Sequence, residues 1–330
     1  MRMVTLADEL ESWLEACAGR GAIAATVTQL GMACARLADL VGRAPLAAAH
    51  GLDLAAQELI TTALRAVPVA SLLPAGAEGP LPLAGEGSLA VALDPLDGAR
   101  NLEGNGPLGT VFSLLPGPAN DPEGAFCQPG TRQLAAGFAM YGRRTVLVLT
   151  LGAGTHLFTL DRTSRRFVRS PGVAAIPPDG GEHAINAADW RDWPAPIRAY
   201  FDDYVVGAGE APGEDIDLRW HASLVTEAFG ILVRGGVCIY PAGTGPGRAR
   251  GSLRLVCQAN PIALIVEQAG GAASDGTARI LDLVPESPQQ RTPLVFGSRD
   301  KVARLQRYHE DPPFAAHRAP LFGQRGLFRL

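Results

Sequence analysis

Two aspartates three residues apart, Asp94 and Asp97, follow an apolar run, Leu89 to Leu93, in the order Asp94–Pro95–Leu96–Asp97–Gly98. Proline fixes the backbone and glycine accepts a tight turn, so the run predicts a strand that ends at this turn. There the two carboxylates and the Leu96 carbonyl can converge on one point, the oxygen-only surrounding that a hard cation such as Mg²⁺ favours. An ordinary Asp-Gly turn has the same local sequence, so the pair gains weight only from its company. Among 29 lysines and arginines the single lysine is Lys301, which leaves phosphate recognition to arginine forks and backbone N–H groups. Five cysteines without a CxxC pair argue against a disulfide framework or a zinc site and read as buried thiols. His221, after Arg219 and Trp220, has the chemistry of an acid or base, although a cap or interface role is commoner for such a residue; His50 is treated alike.

These residues need a scaffold, and 330 residues allow roughly two domains of about 150. With 47% hydrophobic and 19% charged residues and a net charge of -4, neither disorder nor a nucleic-acid surface is indicated. No apolar run approaches the roughly 18 residues of a membrane span, and the amino terminus lacks a secretory apolar region, so the expected location is the cytoplasm. Apolar spacing predicts one or two helices from Thr5 to Gly42, broken near Gly19–Gly21, and another over Leu52–Leu64. A loop is expected from Pro74 to Gly87. Strands follow at Leu89–Leu93, Thr110–Leu115, Gln133–Tyr141, Thr145–Leu151 and Thr155–Leu160, as an antiparallel meander. The second half alternates helices (Pro194–Asp203, Ala222–Val233, Asn260–Ala269) with strands (Val237–Tyr240, Ile280–Val284, Leu294–Gly297), the mark of an α/β domain. The Pro- and Gly-rich stretch Pro171–Gly181 is the expected boundary. The division is therefore 1–175, 176–310 and, as an extended tail, 311–330.

Taken in order, Leu89–Asn101 with Leu108–Leu115 (LAVALDPLDGARN…LGTVFSLL), Ala135–Leu149, Gly235–Pro241 (GGVCIYP), Leu253–Gly271 (LRLVCQANPIALIVEQAGG) and Gln289–Ser298 resemble class 1 fructose-1,6-bisphosphatase. The likeness runs from about Thr5 to Tyr308. It implies a layered α-β-α-β-α sugar-phosphatase fold of two α/β domains, the first with a largely antiparallel sheet, assembled as a homotetramer. It also implies Mg²⁺-dependent hydrolysis of the 1-phosphate of fructose 1,6-bisphosphate, in gluconeogenesis or the Calvin cycle. Carried over by position, Asp94, the Leu96 carbonyl, Asp97 and Gln258 fall on metal-ligand positions, and Asp53 falls on a carboxylate that helps activate the water. Gly98, Ala99 and Arg100 lie against the substrate beside Asp97. Asn186 and Tyr240 hold the 6-phosphate, and Arg219 reaches it from a neighbouring subunit.

The same resemblance exposes departures. Where the family places Ser-Glu-Glu, this chain reads Ser71–Leu72–Leu73, and a family glutamate before Asn260–Pro261 is replaced by Gln258. Ala99 and Arg100 stand where two serines are usual, and Arg100 brings a fixed positive charge able to compete with a metal. The family's phosphate-binding lysine aligns with Ser252; Arg248, Arg250 and Arg254 are candidate substitutes. Each lost carboxylate weakens Mg²⁺ binding, so the expected metal site is weak and the activity reduced. The alternative is a catalytically inactive paralogue that binds a sugar phosphate or an active partner subunit.

Overall fold

A computed structural model of the chain describes residues 4–15, 20–44, 49–83, 87–117, 121–172, 174–206, 217–245 and 247–310. The expected tail, 311–330, lies outside the described residues. Helices α1 (Leu6–Glu15), α2 (Gly21–Arg43) and α3 (Ala49–Leu64) cover one face of an eight-stranded sheet. Its order is β2 (Leu81–Pro82), β1 (Val69–Pro74), β3 (Leu89–Asp97), β4 (Leu108–Pro116), β5 (Ala135–Tyr141), β6 (Thr145–Thr150), β7 (Thr155–Asp161) and β8 (Arg166–Arg169). Only β1 and β3 run parallel; the other neighbours are antiparallel.

The second face of this sheet rests on α5 (Leu224–Arg234) and α6 (Asn260–Gln268), which also pack against a five-stranded sheet. That sheet has the order β10 (Asp217–Arg219), β9 (Glu182–Ala184), β11 (Val237–Tyr240), β15 (Leu294–Gly297) and β13 (Ala272–Ser274). Helices α4 (Ala195–Val206) and α7 (Arg299–Glu310) cover its outer side, and a small ladder joins β12 (Leu253–Arg254) to β14 (Arg291–Thr292). The layers are thus helix, sheet, helix, sheet, helix.

Strand periodicity accounts for this sandwich. Successive strand residues point to opposite faces. In β5, Ala135, Ala139 and Tyr141 join the core under α1–α3, whereas Ala136 and Phe138 join the core under α5 and α6; in β6, Leu147 and Leu149 oppose Val146 and Val148 in the same way. A sheet covered on both faces needs apolar residues at both parities, and all nine residues of β3 are buried.

Ile280–Val284, expected as a strand, instead begins with a single 3₁₀ turn, Ile280–Asp282, with Ile280 and Leu281 buried. The turn brings Arg279 and Asp282 together, with Nη1 2.7 Å from Oδ1, a contact that residues three apart make on a helix and not along a strand. The expected loop after Pro74 carries the short strand β2, and β1 before it went unread because Val69–Pro74 is too short to show a period. Of the cysteines, Cys34, Cys238 and Cys257 are buried free thiols and Cys127 is half-buried and free, while Cys17 lies outside the described residues.

Candidate functional site

The end of β3 is bent. Its pairing with β4 shifts register between Asp94 and Asp97, and the Thr110 hydroxyl donates to the Pro95 carbonyl at 2.8 Å. A bulge of this kind re-aims the side chains on either side of it. Gly98 follows in the left-handed region at φ 73°, and a Cβ there would sit 3.0 Å from the Ser223 Cβ, so the turn requires glycine. Asp94, Leu96 and Asp97 are all buried.

Asp97 Oδ2 accepts hydrogen bonds from the Ser223 hydroxyl at 2.7 Å and the Val225 N–H at 3.1 Å. Ser223 caps α5, so a carboxylate of the first sheet stands at a helix N-terminus of the next layer, where negative charge is favoured. Burial raises the Asp97 pKa, and those donors oppose the rise. Asp94 Oδ2 accepts from the Gln258 amide nitrogen at 2.7 Å, while the Gln258 oxygen accepts from the Arg254 N–H at 2.8 Å. Gln258 sits in a π-helical turn, Leu255–Ala259, ahead of α6. Burial, then the charge of Asp97, pushes the Asp94 carboxyl up to about 7; Gln258 pulls it down and the charge of Asp53 adds to the rise. Asp53, exposed on α3, is itself raised by partial desolvation. The three matched aspartates thus share one electrostatic neighbourhood. Ala99 is half-buried, and Arg100 is exposed without an ion pair to a described residue.

A cavity of about 320 Å³ lies beside Tyr240. Asn186, Trp220, Tyr240, Arg248 and Arg291 line it. The Trp220 and Tyr240 rings stand 5.0 Å apart. Burial, with charge from Cys238, Asp97 and Glu227, raises the Tyr240 hydroxyl; the chain itself joins the two regions, since Trp220 lines the cavity and Ser223, three residues on, binds Asp97. Asn186 caps the 3₁₀ turn Ala187–Asp192 by accepting from the Ala188 N–H, and its amide donates to Asp189 at 2.8 Å. Arg219 does not line the cavity: it is exposed on β10 and pairs with Asp217 and with Glu182 at 3.7 Å.

Sequence reasoning missed Ser223, Trp220 and Glu227 as parts of this region. Ser223 was legible as a helix cap, but its bond to Asp97 crosses 126 positions. Buried Glu227 binds His221 instead, with Oε2 3.2 Å from Nδ1, which gives that histidine a local partner. The His50 side chain lies outside the described residues; of the acids near the turn in sequence that could stand in for the absent glutamates, Glu86 also lies outside them, and Glu78 and Glu103 are exposed. Trp193 is buried beside Phe201, with ring centroids 5.0 Å apart, and also borders the cavity.

A two-ion metal centre needs several carboxylates around one space, and the acid end does not supply them. Leu72 and Leu73 are fully buried, the first with the core under α1–α3 and the second with Ala92, Val256 and Cys257. Both Gln258 termini are engaged, and Asp97 Oδ2 is taken by α5. Among the described residues no group of three or more His, Cys, Asp or Glu is placed to hold a metal ion. The residues present do not fit a multi-ion Mg²⁺ cluster.

Layering, the bulged acid turn and the adjoining cavity define a sugar-phosphatase architecture. The family model described as fructose-1-6-bisphosphatase, N-terminal domain matches residues 8–171, and that for the C-terminal domain matches 176–310. The class 1 fructose-1,6-bisphosphatase of Rhizobium meliloti (strain 1021) is 46% identical over 97% of this chain and 98% of the relative. One from Nitrobacter hamburgensis is 44% identical over 100% and 99%. Crystal structures of Leishmania major fructose-1,6-bisphosphatase superpose with a TM-score of 0.85 over 94% of this chain, at 24% identity for the holo form and 26% for the apo form. The chain belongs to the class 1 fructose-1,6-bisphosphatase family, metal-dependent phosphoric monoester hydrolases of carbohydrate metabolism. No described helix is long and apolar enough to cross a membrane.

Proposed function

We propose that this chain is a cytoplasmic fructose-1,6-bisphosphatase of strongly reduced turnover, which removes the 1-phosphate and leaves fructose 6-phosphate. The observation that carries the reading is an aromatic, arginine-bearing cavity of a size suited to a sugar phosphate, whose Trp220 lies three residues before the Ser223 that binds Asp97 at the acid end of β3. In this reading Asn186 and Tyr240 hold the 6-phosphate, and Arg219 completes the grip from a neighbouring copy in a homotetramer. Gly98 and Ala99 lie against the sugar, Arg100 brings a fixed charge to the 1-phosphate, and Asp97 closes the site. Asp53, the exposed aspartate of the three, orients the attacking water. No step is assigned to Mg²⁺ because the acid end falls short of the carboxylates that a metal cluster requires.

The test is phosphate release from fructose 1,6-bisphosphate, with and without millimolar Mg²⁺, on protein from a host lacking its own enzyme. Slow release, at least ~100-fold below a complete family site, is expected. A full rate would show that Glu78, Glu103 or another arrangement completes the site. Binding without any release would favour the inactive paralogue.

A further inference from the structure

By resemblance Ser252 stands where the family has a phosphate-binding lysine, and three nearby arginines are candidate substitutes, of which Arg248 and Arg250 read equally well as a solvated loop. They differ sharply in the fold. Arg254 is committed to Gln289, with Nη1 2.5 Å from its side-chain oxygen. Arg250 does not line the cavity, is over three-quarters exposed, and among the described residues pairs with Glu286 at 3.5 Å. Arg248 alone lines the cavity that holds Asn186, Trp220 and Tyr240.

Its position is built by the surrounding loop. The Gly243 N–H donates to the Arg248 carbonyl and the Gly251 N–H does the same, both at 2.9 Å, while Thr244 N–H ties the loop to the Asp192 carbonyl at 3.0 Å. A Cβ on Gly243 would lie 2.6 Å from the Arg248 Cβ, so the loop packs closely around the arginine stem. The guanidinium rests on two carboxylates, with Nη1 3.3 Å from Asp189 Oδ1 and 3.2 Å from Asp192 Oδ2. Both are long for charge-assisted bonds, which run at about 2.7–2.9 Å, and all three side chains are 41–57% exposed. Such a pair is weak and exchangeable.

We infer that Arg248 is the phosphate-gripping residue of this cavity, standing in for the absent lysine, and that Asp189 and Asp192 hold it in reserve until a phosphate dianion displaces them. The inference rests on the proposed sugar-phosphate reading of the same cavity. A phosphate oxygen offers Arg248 a stronger partner than either long carboxylate contact, because a guanidinium binds phosphate through two parallel bonds. The two aspartates also make the cavity selective: unpaired, they repel an anion, so only a ligand that engages Arg248 is admitted at full affinity. Arg291, whose Nη1 donates to the Ser252 carbonyl at 2.8 Å, supplies further positive charge at the mouth.

The experiment is calorimetric binding of fructose 6-phosphate, with fructose as the uncharged control, to the full chain and to Arg248→Ala, Arg248→Lys and Asp192→Asn. Arg248→Ala is expected to weaken fructose 6-phosphate by about tenfold or more, the worth of a charged hydrogen bond, and to leave fructose unchanged. Arg248→Lys should recover part of the loss. Asp192→Asn, which frees Arg248 without removing it, should tighten fructose 6-phosphate by about two- to fivefold. A merely structural role for the loop predicts loss in both variants. Equal fructose 6-phosphate affinity in the unmodified chain and Arg248→Ala would overturn this inference while leaving the sugar-phosphate reading intact. No binding by the unmodified chain at millimolar ligand would overturn that reading and this one with it.

Discussion

The two ends of the candidate site differ in how their charges are held. At the acid end, the aspartates of β3 are met by hydrogen-bond donors: Gln258 on Asp94, Ser223 and Val225 on Asp97. At the cavity end, charge is abundant and of both signs, with Arg248 between Asp189 and Asp192 and Arg291 at the mouth. Binding of a phosphate tolerates such rearrangement because any well-placed cation serves. Metal-assisted hydrolysis does not, because it needs several oxygens converging on a space of fixed size. A fold can therefore keep substrate recognition while its catalytic rate falls.

The largest expected effect comes from rebuilding the acid end. Leu72→Glu, Leu73→Glu and Gln258→Glu together, with Arg100→Ser, should raise Mg²⁺-dependent phosphate release by about 100-fold, since residues that act as a unit are strongly non-additive. An unchanged steady-state rate in the folded variant would mean that the carboxylates are not what separates the two ends.

A stability measurement then sharpens the contrast. Leu73 pairs with Ala92 in the parallel β1–β3 ladder and packs in the same cluster, on the parity that Asp94 continues. Leu73→Glu with Gln258→Glu adds two acids to buried surroundings and should cost about 3 kcal/mol without metal, with Mg²⁺ restoring much of it. Thermal melting with and without Mg²⁺ decides this, and a melt indifferent to Mg²⁺ would count against a metal space beside Asp94.

At the cavity end, Arg219→Ala should weaken sugar-phosphate binding by about 1.5–3 kcal/mol if a neighbouring copy presents Arg219 to the phosphate. Calorimetry reads it, and unchanged affinity would leave Arg219 to its contacts with Asp217 and Glu182.

A further effect is one of pH. Asp94 is raised from 3.8 to about 7 by burial and by Asp97, so its contribution to stability is fully present below about 4 and is lost as pH rises through about 7. Asp94→Asn should flatten that decline in denaturant titrations between pH 4 and 7. Parallel pH profiles for the two proteins would show that the aspartate carries no such strain.

Much of the fold was legible. The helices of the first layer, the meander β4–β7 and α5 and α6 follow from apolar periodicity, and β11 and β15 from unbroken apolar runs beside glycine or proline. Short strands were not. β1, β8, β9 and β10 span three to six residues, too few for a period, and exist because a neighbouring strand edge completes their backbone hydrogen bonds. Ile280–Val284 shows the converse: an apolar run that read as a strand forms a turn at its start because no ladder takes it up.

The sequence by itself determined the acid turn, the lysine shortage and the neutral residues Leu72, Leu73 and Gln258, because these are matters of residue identity and local backbone chemistry. Only the tertiary structure decided what became of them. The Asp97 carboxylate meets α5 across 126 positions and Asp94 meets Gln258 across 164, contacts that no local pattern encodes. Among three arginines within seven positions, the loop closure from Gly243 to Gly251 aims Arg248 into the cavity, whereas Arg250 meets solvent and Arg254 meets Gln289. Side-chain charge is written in the chain, but where that charge points depends on which distant backbone groups close the turn around it.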